Sequence, residues 1–371
     1  MSEYQCYEFV ALDRPLTSEQ MAELRAISTR AEITPTRFWN EYQWGNLKAD
    51  PAKLVERYFD AHMYFANWGT HRLILRLPVK RVDWKCLHAY FFGDAARARI
   101  AGDHLIVDLH SEDEEPDHDE ESQGLLAALA PVRADLLRGD LRVAYLAWLL
   151  AIQAGDVDDD DVEPSVPPGL SDLTAAQAAM VEFLRIDEDL VAAAAEGTEA
   201  HTDNRAGLRK WALGLTLRAK DEWLRRAIDD PDLALGGELL RVFRADTKSA
   251  RACRQRTVAE LRAAVAKRRA LRERAEAERV AKAKTAADAA RRKRLDALAK
   301  RVDAAWADLE ALVEKSAHEA AIRLAIDLRD LSKRDGPSVP FAAPFEAMRK
   351  RQLRRRGFFD RWKRENMVER A

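Results

Sequence analysis

Residues Asp50–Pro78, DPAKLVERYFDAHMYFANWGTHRLILRLP, hold the reading on which the fold turns. Asp50 is a natural helix N-cap, and Pro51 suits the first helical position, where the missing N–H has no intrahelical partner to lose. Leu54, Val55, Tyr58, Phe59, His62 and Phe65 then recur at intervals of three and four. That spacing predicts a helix running on to a stop at Gly69. His71–Leu77, HRLILRL, is a short apolar run closed by Pro78 and predicts a buried strand.

Elements of both kinds extend outward from this stretch. Toward the N-terminus, Tyr4–Leu12 (YQCYEFVAL) reads as a strand broken by Asp13-Arg14-Pro15. Thr17 or Ser18 caps a helix with Met21, Leu24 and Ile27 on one face. Ala31–Tyr42 is extended and interrupted by Pro35. Toward the C-terminus come a short helix at Asp83–Tyr90 and a hairpin, ARARI-AGD-HLIVDLH, with Gly102 in its turn. The fold class is α+β: a small N-terminal α/β sandwich over residues 1–110, ferredoxin-like in its layers. An extended all-α domain with a long, charged, coiled-coil-like helix follows.

Residues 111–170 contain the acidic run Glu112–Glu121 and helices over Leu125–Ala154, broken near Gly139-Asp140. The stretch ends in an acidic, proline-rich linker, Asp156–Gly169 (DVDDDDVEPSVPPG). Residues 171–247 read as a helical domain opened by a Ser171 cap. Residues 248–335 read as a long charged helix and a helical hairpin. In it, Leu295, Leu298, Val302, Ala305, Leu309 and Leu312 form a heptad seam, and Ala321, Leu324, Leu328 and Leu331 supply its partner. Residues 336–371 form a basic tail with Phe358, Phe359 and Trp362.

Charge is segregated along the chain. Residues 1–247 carry about −18, residues 248–301 about +13 and the remainder about +3, so the formal total of −2 is a cancellation. Such segregation steers partners without defining a fold. Apolar residues make up 47% of the chain, enough for a core. Cys6, Cys86 and Cys253 have neither disulfide-framework nor zinc-site spacing, which fits a reducing compartment. The N-terminus lacks the pattern of a secretory signal, and the longest apolar run, Val143–Ala154, is too short to span a bilayer. These features lead us to expect a soluble, cytoplasmic protein with no membrane partner.

Thirteen of the 28 aromatic residues lie between Phe38 and Phe92. Trp39, Trp44 and Trp68, with Glu41, His62 and His71 as polar groups, are candidates for a ligand cleft. The competing and favoured interpretation is a core built of large aromatics. His62, His71 and His88 lack metal-ligand spacing. The His118–Glu121 pair lies in an acidic run, and Asp156–Asp161 lacks the glycine and closing glutamate of a calcium loop. No GxSxG, phosphate-cradling loop or persuasive Cys–His pair is present. No catalytic residue, metal or cofactor is therefore assigned. The basic candidates are Arg291, Arg292, Lys293 and Arg294 on the long helix, and Arg349, Lys350, Arg351, Arg354, Arg355 and Arg356 in the tail.

YEFVALDRPLT, ITPTRFWNEYQWGN and ERYFDAHMYFANWGTHRLILRLP resemble the opening of a family of bacterial conserved hypothetical proteins. AWADLEALVEKSAHEAAIRLAIDLRDLSKRDG is similar to helical segments of such proteins. The resemblance implies a bacterial, cytoplasmic setting. The family has no assigned activity, so no residue role is carried over. The functional expectation is a non-catalytic binding or scaffolding protein that engages a protein partner through its helical arm. The alternatives are an enzyme or small-ligand module using the aromatic cleft, and nucleic-acid binding through the basic arm and tail. The oligomeric state is left open.

Overall fold

The computed structural model describes residues 3–113, 124–196, 205–229, 235–247, 256–352 and 355–368. The chain forms two units, Met1–Ala270 and Leu271–Ala371. The first opens with β1 (Gln5–Val10), α1 (Ser18–Ile27), β2 (Glu32–Thr34), β3 (Arg37–Tyr42), α2 (Pro51–Arg57), β4 (Ala61–Ala66), β5 (Thr70–Pro78), α3 (Trp84–Leu87), β6 (Ala96–Ala101) and β7 (His104–Glu112). The seven strands form one sheet in the order β2-β3-β1-β4-β5-β7-β6, with every neighbouring pair antiparallel. The fold is α+β. Its layering differs from the expected ferredoxin-like one, because helices pack on both faces of the sheet.

Both faces of the sheet are covered. On one, Tyr7, Phe9, Phe38, Ile74 and Ile106 pack with Leu24 of α1 and Leu54 and Val55 of α2. Thr17 closes the start of α1 with a capping box to Gln20, and Asp50 caps α2 through the Ala52 N–H. On the other face, Met63, Leu73, Leu75, Leu105 and Val107 meet the next helices: α4 (Leu125–Leu129), α5 (Pro131–Leu137), α6 (Arg142–Ala154), α7 (Ala175–Phe183) and α8 (Glu188–Ala195). Trp148 and Tyr145 of α6 are the largest side chains fully buried there. The sheet and these helices share one core, so the expected boundary at residue 110 falls inside β7.

The expected helix to Gly69 stops at Arg57. Asp60, 1% exposed, accepts from Arg76 Nη2 at 2.8 Å and from the N–H groups of Leu12 and Asp13 at 2.6 and 2.8 Å. Burial alone would raise its pKa; the Asp13 N–H and the Arg76 and Arg133 guanidiniums outweigh that and hold it below the ordinary carboxylate value. Beyond this anchor, β4 pairs with β1 on one side and β5 on the other.

Two other expectations are corrected. The helix after residue 170 is capped by Thr174, with a capping box to Gln177, rather than by Ser171. The proline-rich Asp156–Gly169 stretch is packed rather than a free linker. Val157, Glu163 and Leu170 are buried, and Ser165 O accepts from Tyr90 Oη at 2.6 Å. Asp156 Oδ2 accepts from the N–H groups of Asp94 and Ala95 at 2.8 and 2.7 Å, and a Cβ on Gly93 (φ +60°) would collide with that carboxylate. The acidic residues 114–121, Lys248–Gln255, Cys253 and Arg354 lie outside the described residues.

Further along come α9 (Arg205–Gly214), α10 (Leu217–Asp229), α11 (Leu235–Thr247) and α12 (Val258–Ala299). Gly236 and Gly237 lie in the first turn of α11. Carbonyls of Asp161 and Asp159 accept from the Val258 and Ala259 N–H groups at 3.0 Å each, so the acidic stretch satisfies orphan donors at the start of α12.

The second unit contains the end of α12 and α13 (Val302–Glu314), α14 (His318–Asp335), α15 (Ala342–Arg351) and α16 (Arg356–Val368). Leu295, Leu298, Ala305, Leu309 and Val313 pack with Ala321, Ala325, Leu328 and Leu331. The heptad seam is thus divided between α12 and α13 by a break at residues 300–301. Phe358 is fully buried, and Phe359 and Trp362 pack beside it against Phe345, so the tail aromatics complete this core. Among the described residues, no helix is long and apolar enough to cross a membrane.

Candidate functional site

The six residues of the aromatic cleft are not brought together. The two faces of the sheet and one of its ends divide them. His62 lies on the α1/α2 face, fully buried, stacked on Phe9 with centroids 3.9 Å apart. Its Nδ1–H donates to the Glu8 carbonyl at 2.9 Å, and desolvation pushes its pKa down to about 3. Trp39, Glu41 and His71 lie on the opposite face. His71 is buried between Phe65 and Phe183, with centroids 5.3 and 5.2 Å away. Glu41 is exposed and accepts from Tyr4 Oη at 3.2 Å. Trp44 and Trp68 sit in turns, 80% and 42% exposed, and no ring contact links them to Trp39 or to each other.

The Trp-Gly pairs serve turns. Gly69 (φ +100°) lies so close to the Asp113 carbonyl that a Cβ would not fit. Gly45 (φ +84°) has open space around its Cβ direction, and only its backbone conformation favours glycine.

A cleft does exist on the Trp39 face, built from residues that sequence reading passed over. It lies between the β1–β3 corner and α4 and has a volume of about 720 Å³. Val10, Ala11, Leu12, Leu126, Ala127 and Ala130 give it apolar walls, and Glu8 and Arg37 also line it. The Glu8 side chain is 6% exposed; its Oε1 accepts from Arg37 Nε at 2.6 Å. Glu8 Oε2 is buried without a hydrogen-bond partner among the described residues. Trp39 is the register partner of Glu8 across the β1–β3 pair, and its Nε1–H is likewise buried and unpartnered among the described residues. The Arg37 guanidinium lies 5.8 Å from the centroid of the Trp39 ring. The available signal was a glutamate inside a strand with both faces apolar, where an ionisable side chain needs a partner.

The basic candidates among the described residues are exposed, but many are turned onto carboxylates of their own unit. Arg291 pairs with Asp330 at 2.5 Å, Arg294 with Asp327 at 3.8 Å, Arg349 with Glu346 at 3.1 Å and Arg351 with Glu310 at 2.9 Å. Arg355 donates to Ser316 Oγ at 3.2 Å. Arg292, Lys293, Lys350 and Arg356 are exposed. On α12, every residue from Leu271 to Arg294 is exposed, a span of about 36 Å at 1.5 Å per residue. It holds nine basic and four acidic residues.

Arg272, Ala275, Arg279, Lys282, Ala286, Ala290 and Lys293 fall within an arc of about 80° at 100° per residue, free of acidic residues. Arg279 pairs with Glu276 at 2.8 Å and Lys282 with Glu278 at 3.9 Å along the margins of this arc.

No group of three or more His, Cys, Asp or Glu side chains able to hold a metal ion occurs among the described residues. Comparison with known proteins gives no match to any protein-family model, curated protein or solved structure.

Proposed function

We propose that the protein is a non-catalytic binding or scaffolding protein that engages an acidic protein partner through α12. The observation that carries this reading is the exposure of every residue from Leu271 to Arg294. A solvated helix needs only balanced i, i+4 pairs to persist. This one has a positive excess and an arc of basic and alanine positions on one side. Small residues between long basic ones let a second helix approach while the guanidinium and ammonium groups reach around it to carboxylates. The same positive field suits a phosphate backbone, so nucleic acid is the competing occupant.

The test places a photo-crosslinking residue at Ala286, with an exposed control at Thr29, in the full-length protein in its native host. The expected result is an adduct with an acidic protein from position 286 and none from position 29. The adduct should disappear when Arg272, Arg279, Lys282 and Lys293 are all changed to Glu. An adduct with nucleic acid, or no adduct at 286, contradicts the reading.

A further inference from the structure

The cleft between β1, β3 and α4 stands apart from the arm and has its own chemistry. A buried carboxylate oxygen without a donor has given up its hydration for nothing unless a partner is supplied, and native proteins rarely leave one so. Glu8 Oε2 is such an oxygen, at a cleft whose remaining walls are mostly apolar. Arg37 already neutralises the Glu8 charge through Oε1. A cationic ligand head would meet the Arg37 guanidinium, and an anionic head would meet the Glu8 carboxylate. A neutral donor is opposed by neither. Beside Glu8 in the sheet register, the Trp39 indole N–H also lacks a partner among the described residues, which adds a donor in search of an acceptor.

We propose that this cleft binds a neutral amphipathic small molecule, an aliphatic body ending in a primary carboxamide. The amide N–H donates to Glu8 Oε2, the amide carbonyl accepts from Arg37, and the aliphatic body lies along Val10, Leu126 and Ala130.

Three probes of equal length separate the possible head groups: hexanamide, hexylamine and hexanoate. Each is titrated at pH 7 and fixed ionic strength into the full-length, nitrogen-15-labelled protein. The readout is the indole N–H resonance of Trp39, assigned by its absence in Trp39→Phe. Hexanamide should shift this resonance saturably and bind at least tenfold more tightly than either charged probe. Glu8→Gln keeps the shape and presents a donor in place of the acceptor, and hexanamide should bind it at least tenfold more weakly. If that variant fails to fold, Ala127→Phe, at an exposed position on the cleft wall, should abolish the shift by filling the space. No saturable shift with hexanamide, equal affinity for the three probes, or hexanamide binding unchanged by Glu8→Gln or Ala127→Phe overturns the proposal.

Discussion

His62 stays unprotonated in the folded protein down to about pH 3, because burial among Phe9 and Tyr7 leaves an imidazolium no water. In the unfolded chain the same group takes up its proton near its ordinary value of 6.5. Between those two values the unfolded state binds one more proton, so stability rises with pH and is lost as pH falls through 6.5 toward 3. Urea unfolding of wild type and His62→Phe between pH 7 and 4.5 checks this. Wild type should lose up to about 1.4 kcal/mol per pH unit more than the variant. Parallel slopes would mean that His62 titrates normally. Tryptophans separate the same way by burial. Trp148→Ala, in the core, should cost about 3–5 kcal/mol, whereas Trp68→Ala, 42% exposed, should cost under about 1 kcal/mol in a thermal or urea melt. The sequence shows where tryptophans are dense but not which face each one takes. A turn tryptophan and a core tryptophan look alike until register is fixed.

At the scale of elements, caps and turns were legible. Thr17, Asp50, Asp83 and the Gly102 turn act as their residue types require, because each satisfies a local backbone need. β4 was not legible as a strand. With both faces covered, Ala61–Ala66 shows no alternation, and Tyr58, Phe59, His62 and Phe65 imitate helical spacing. What decides the element is Asp60 held by Arg76, a contact between residues 16 apart that no local pattern records.

Asp156–Gly169 misleads for a related reason. Its acidic and proline-rich composition is that of a linker, yet Glu163 is 2% exposed and accepts from Arg256 Nε and Nη2 at 2.8 Å each and from Tyr145 Oη. Burial, with the nearby Glu163 carboxylate, pushes the Tyr145 phenol pKa upward. Arg256→Ala strands that carboxylate and should cost about 3–5 kcal/mol, while Glu163→Leu with Arg256→Met and Tyr145→Phe, which removes the whole polar set, should be nearly neutral. Urea melts of the two variants decide. Equal losses would mean that the pair is held for attraction rather than tolerated as a set.

At the scale of the whole molecule, the charge segregation read along the chain has a local counterpart in each unit. In the first, acidic carbonyls and carboxylates receive the start of α12: Arg262 pairs with Asp159, and Arg268 with Glu196 at 2.9 Å. In the second, Asp330 and Asp327 engage Arg291 and Arg294. Leu271–Arg294 is exposed throughout and keeps most of its positive excess along the Arg272–Lys293 arc, and this span carries the proposed function. The sequence made the helix and its charge evident, since a stretch with so little to bury cannot enter a core. Sequence alone left open whether the tail aromatics meet a partner or cap the helical unit, because Phe358, Phe359 and Trp362 meet Phe345 only after the chain has turned back.

The most direct test of the central claim is a fluorescence titration of the full-length protein at physiological salt, against an acidic helical peptide and against 20-base-pair DNA and RNA duplexes. The comparison is repeated with Arg272, Arg279, Lys282 and Lys293 reversed to Glu. The account predicts saturable binding of the peptide that the reversal abolishes, and little binding of either duplex. Tight duplex binding that falls steeply with salt, with the peptide left unbound, would contradict it.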